Sequence, residues 1–81
     1  MSDLAQYISD EIEALTFKKV LTTTPLISSG LLDSITIVDL AVAIEEETNI
    51  KINFTDIKIE NFDNIEMILE YLTNRKTATT I

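Results

Sequence analysis

The chain has 81 residues, which is one domain's worth, and it contains neither cysteine nor histidine. That composition excludes disulfide staples, thiolate metal sites and a self-contained Ser-His-Asp triad. Fourteen acidic residues against six basic give a net charge of −8, which excludes a nucleic-acid surface and favours basic partners.

The acidic excess is concentrated. Residues 33–70 hold ten acids and two bases and so carry the whole net charge. Solubility alone is the plainer account of such a balance. With 46% hydrophobic residues, one Gly and one Pro, the chain has material for a core but few enforced turns. This favours amphipathic helices over a many-turned β fold. The start, Met1-Ser2-Asp3-Leu4, lacks a basic and apolar leader, and no apolar run is long enough to span a membrane. The expectation is a cytoplasmic protein.

In chain order, Leu4, Ile8, Ile12 and Leu15 fall at helical spacing and predict a first helix over 3–16. Asp3 is its expected N-cap, with Gln6 completing a capping box. Residues 18–33 read as a long loop, with Thr22-Thr23-Thr24-Pro25 and Ser28-Ser29-Gly30 opposing helix. Leu26, Ile27, Leu31 and Leu32 are its expected anchors to the core. Asp33–Glu47 has no Gly or Pro and predicts the second helix. Ile50–Phe54 alternates like a strand but has no partner segment, so an extended connection is expected, leading to a short helical turn near Asp56–Glu60. Asp63-Asn64-Ile65-Glu66 resembles a capping box with Asp63 as cap. Ile65, Ile68, Leu69 and Leu72 then mark a core-facing last helix. The sum is an all-α, small four-helix bundle: three main helices, one short one, and a long loop between the first two. The expected domain is 1–76, with a flexible C-terminal tail at 77–81.

The second helix has two apolar faces. At ~100° per residue, Ile37, Leu40, Ala41 and Ile44 cluster on one side, while Ile35, Val38 and Val42 cluster nearly opposite. Ser34 borders the second strip. Asp39 and Glu46 flank it on one side and Glu45 on the other. Either the first loop folds over this strip through Leu31 and Leu32, making it core, or it is an exposed patch whose acidic rim orients a partner.

Gly30-Leu31-Leu32-Asp33-Ser34-Ile35 resembles the Asp-Ser-Leu signature of the acyl and peptidyl carrier proteins. Val38 through Glu47 is similar to that family's recognition helix, with its run of glutamates. Asn61-Phe62-Asp63-Asn64-Ile65 through Tyr71-Leu72 looks like its last turn and helix. The resemblance implies that Ser34 accepts a 4′-phosphopantetheine arm from coenzyme A, and that Asp33 helps a phosphopantetheinyl transferase hold its metal ion and coenzyme A. It implies that Ile35, Val38 and Val42 touch partner enzymes, that Asp39, Glu45 and Glu46 meet their basic residues, and that Ile37, Leu40, Ala41 and Ile44 line the interior. The implied protein is a non-catalytic, monomeric acyl carrier, loaded by ligase or synthase enzymes with basic docking surfaces.

Two positions depart from the fatty-acid carriers: Thr36 replaces a usual acid, and Asn53 a frequent proline. The Gly-Leu-Leu-Asp-Ser spelling is nearer to stand-alone carriers of D-alanyl or amino-acid ligation systems and of secondary metabolism. The plain account of Ser34 is an N-cap, although Asp33 can take that role and leave Ser34 free. The competing function is an acidic helical interaction module that binds a basic partner without an arm. An enzyme is disfavoured, because no metal cluster, phosphate loop or acid–base pair is visible. Glu45-Glu46-Glu47 point in different directions on a helix and do not form a calcium loop.

Overall fold

The computed structural model describes the backbone of residues 3–79 and the side chains of residues 4–75. It contains α1 (Asp3–Thr16), α2 (Ser34–Thr48), a 3₁₀ turn (Phe54–Asp56), α3 (Ile59–Phe62) and α4 (Ile65–Thr79), with no strand among the described residues. The all-helical bundle is as expected, with α1 packed on α2 and α4, and α3 packed on α4.

The apolar stripes explain the packing. Ile8 and Ile12 of α1, Ile37, Leu40, Ala41 and Ile44 of α2, and Ile65, Ile68 and Leu72 of α4 are buried in one core. Phe62 of α3 closes it, its ring 5.4 Å from that of Tyr71 at a tilt of 55°, an arrangement aromatic pairs favour. The Tyr7 hydroxyl donates to the Ala43 carbonyl at 3.2 Å and ties α1 to α2. The expected cap at Asp3 lies outside the described side chains; Gln6 donates its amide to Asp10 at 2.9 Å. The end of α1 turns through Phe17 at φ 63°, whose N–H donates to the Glu13 carbonyl. α4 runs on to Thr79, past Arg75, where the apolar periodicity ends.

The long first loop is ordered by its anchors. Leu26 and Leu32 are buried, and Ile27 and Leu31 pack partly buried against the same core. Asp63 pins the loop, and this corrects its expected role. Its Oδ1 accepts from the Ile27 and Ser28 N–H groups and its Oδ2 from the Ser28 hydroxyl, each at 2.8 Å. The Asp63 carbonyl also accepts from the Leu26 N–H at 2.6 Å. With that carboxylate occupied, Asn64 caps α4 instead, accepting from the Met67 N–H at 2.8 Å. Glu66 turns to the loop as well, accepting from the Thr22 hydroxyl at 3.3 Å.

The connection after α2 is neither helix nor strand at 50–53, with Asn53 extended (φ −74°, ψ 134°), and the single helical turn expected near Asp56–Glu60 is corrected to two short pieces. Lys58, at φ −151° and ψ 171°, is fully extended and separates them. Ile57 tucks against the core at this break, and Asn61 Nδ2 donates to the Asp56 carbonyl at 3.0 Å across it.

Candidate functional site

The start of α2 is built by Asp33. Its backbone is extended (φ −91°, ψ −174°), and Oδ1 accepts from the Ile35 N–H at 3.1 Å and the Thr36 N–H at 2.8 Å. This is an N-cap by an aspartate, which satisfies two of the helix's orphan amides. Thr36 adds its hydroxyl, donating to the same oxygen at 2.8 Å. These bonds, first the Thr36 N–H and then its hydroxyl, hold the Asp33 carboxyl below its ordinary range. Thr36, the departure from the fatty-acid carriers, is therefore part of the cap.

Ser34 is the first residue of the helix itself. It is exposed, and its hydroxyl has no hydrogen-bond partner among the described residues. The capping job belongs to its neighbour, so the Ser34 side chain is free. Gly30, just upstream, lets the chain turn into this helix. Its φ of 83° is open to glycine and strained for other residues.

The two apolar strips of α2 have different fates. Ile37, Leu40, Ala41 and Ile44 are buried. Ile35 is 72% exposed and Val42 48% exposed, while Val38 is partly buried. The first loop does not cover this outward strip, because Leu32 and Leu31 pack into the core. Asp39 and Glu46 are exposed beside it. Glu45 is not wholly available: its Oε2 accepts from the Ile52 N–H at 2.7 Å and fastens the chain after α2. Among the described residues no group of acids could hold a metal ion.

A groove of about 690 Å³ opens beside Ser34. The start of α2 forms one wall through Ser34, Ile37 and Val38. The other wall comes from the 3₁₀ turn, the break after it and the first turn of α3: Phe54, Ile57, Lys58, Ile59 and Glu60. The sequence reading did not single out this second wall. The signal in the sequence is the pair of apolar residues, Ile57 and Ile59, on either side of Lys58.

A family model described as "Phosphopantetheine attachment site" matches residues 2–72. The chain belongs to that family. Comparison with curated proteins and with solved structures gave no match. Members of the phosphopantetheine-attachment family carry 4′-phosphopantetheine covalently and are non-catalytic carriers, modified by a phosphopantetheinyl transferase. The residues at the start of α2 fit such a group chemically. A free hydroxyl stands at a helix N-terminus, where partial positive charge favours an incoming phosphate. The carrier has no helix among the described residues long and apolar enough to cross a membrane.

Proposed function

We propose that Ser34 is the attachment point of the arm, and that the protein carries acyl or amino-acyl groups as thioesters for partner enzymes. The observation behind this is the exposed, unbonded Ser34 hydroxyl next to an aspartate that has taken over the capping role. In loading, Ser34 Oγ forms a new bond to phosphorus and one phosphoanhydride bond of coenzyme A breaks. The nucleotide leaves, and the hydroxyl proton passes to the transferase or to water. Asp33 stays ionised and repels the phosphate, which suits a role in holding the transferase's metal ion and coenzyme A. The arm, when bound, supplies the thiol that this cysteine-free chain lacks.

Ile35, Val38 and Val42 form the contact strip for partners, and Asp39, Glu46 and the free part of Glu45 meet their basic residues. The Gly30–Ser34 spelling and Thr36 support an amino-acyl, D-alanyl or secondary-metabolism cargo over fatty-acid synthesis. The protein acts as a cytoplasmic monomer in this reading.

The test is co-expression with a broad-specificity phosphopantetheinyl transferase followed by intact mass measurement. The wild type gains the mass of the arm and Ser34→Ala does not. A gain that persists in Ser34→Ala would refute the site. A chain that stays unmodified, yet captures a defined basic partner through Val38 and Val42, would be an interaction module without an arm.

A further inference from the structure

We propose that Lys58 is a positioning residue for the arm, its ammonium holding the phosphodiester on Ser34 against the groove between α2 and the Phe54–Phe62 segment. This rests on Ser34 being the attachment point.

The charge pattern singles out Lys58. Among the described residues that line the groove it is the one cation, and Asp33 and Glu60 are the acids. Loading adds a further negative charge at Ser34, beside the ionised Asp33 and on a chain of net charge −8. Within the groove, Asp33 and Glu60 repel an anion placed there, and the helix start and Lys58 attract it. Charge complementarity therefore draws the phosphodiester toward the second wall of the groove.

The backbone explains how Lys58 can serve. Its carbonyl accepts from the Asn61 and Phe62 N–H groups at 3.0 and 2.8 Å, so the residue is pinned at the head of α3. Its side chain is exposed and makes no ion pair among the described residues. The ammonium is thus available while its base is fixed. The apolar wall gives a second reason. Phe54 is 73% exposed and Ile59 48% exposed, and burying such surface is favourable. An arm drawn toward Lys58 lies along these side chains and covers them. The sequence places an apolar residue on each side of the lysine, so one short segment supplies both the charge and the cover.

The experiment compares amide spectra of the unloaded and loaded full-length chain by nuclear magnetic resonance, with loading verified by intact mass. In the wild type, loading displaces amides of residues 54–60 as well as those next to Ser34. In Lys58→Met the displacements at 54–60 shrink about two- to fivefold, the range for loss of one exposed charge pair. Those beside Ser34 persist, because the covalent link is unchanged. Lys58→Arg restores the pattern, and added salt weakens it in the wild type. Unloaded Lys58→Met keeps the wild-type spectrum away from the substitution, which separates loss of docking from loss of fold. Displacements confined to the neighbours of Ser34, or unchanged in Lys58→Met, would overturn the role of Lys58 while leaving the attachment site standing. A wild-type mass that does not rise would overturn the attachment reading and this one together.

Discussion

The two apolar strips of α2 are built from the same kinds of residue and are placed oppositely in the fold. Ile37, Leu40, Ala41 and Ile44 are buried in one core with residues of α1, α4 and the loop anchors. On the other side, Ile35 stays largely and Val42 about half in solvent. Side-chain chemistry does not separate them; the placement of the first loop does. Leu26 and Leu32 enter the core while Asp63 holds the loop's backbone, so these loop residues do not cover the outward strip. Free energy from the inner strip stabilises the fold, and the outer strip keeps its apolar surface available for association.

Truncation should show the contrast at its largest. Leu40→Ala removes a fully buried side chain and is expected to cost about 2–5 kcal/mol in denaturant unfolding. Val42→Ala, half in solvent, should stay within about 0.5 kcal/mol yet weaken capture by a partner. Equal losses at the two positions would mean that the outer strip is core, and the docking reading would fail.

Asp63 tests the cause of the contrast. Asp63→Ala removes the acceptor of three loop hydrogen bonds and is expected to cost about 1 kcal/mol, the usual worth of a side chain satisfying backbone amides. The same bonds, the Ser28 N–H foremost, hold the Asp63 carboxyl below its ordinary value. A carboxyl depressed in the fold stabilises it above the unfolded pKa of about 3.9. That stability is lost as pH falls through the lower folded value. The wild type should therefore weaken below about pH 4, and Asp63→Ala should show a shallower acid limb, to which Asp33, held low by its own cap bonds, still contributes. An acid limb identical in the two proteins would remove Asp63 as the pin.

The acidic rim divides in the same way. From sequence, charge reversal at Asp39 or Glu45 is expected to spare the fold and weaken partner recognition. Asp39 is exposed, whereas the expectation of a spared fold is revised for Glu45, whose carboxylate accepts from the Ile52 N–H. Glu45→Lys should cost about 1 kcal/mol, and Asp39→Lys should remain within about 0.5 kcal/mol. Thermal unfolding of the two variants side by side decides it, and equal stability would show that the Ile52 contact contributes nothing.

Periodic and local features were legible in the residues; contacts across the chain were not. The stripes of α1, α2 and α4 follow from apolar spacing, which a helix converts directly into a buried face. The Asp33 cap is equally local, since a cap's partners lie two and three residues on. Asp63 was misread because its local pattern, Asp-Asn-Ile-Glu, permits a cap at either of its first two residues. The choice was made by amides 35 and 36 residues away. The Glu45 contact with Ile52 and the groove wall at Phe54, Ile57 and Lys58 are likewise tertiary. For Asp63 a side chain with an adequate local use found a distant partner, and a single sequence carries no term for that competition.

The smallest expected effect falls on the residue at the centre of the site. Ser34→Ala keeps the Asp33 cap, breaks no hydrogen bond found among the described residues, and places a better helix former in the first turn. Its stability should match the wild type to within about 0.5 kcal/mol, while loading is abolished. Asp33→Ala should behave oppositely in the melt: it loses stability, because the Ile35 and Thr36 amides lose their acceptor. If Ser34→Ala were the destabilised variant and Asp33→Ala the silent one, the serine would be the cap. Its hydroxyl would then be committed to the helix, and the case for a free attachment point would lose its main support.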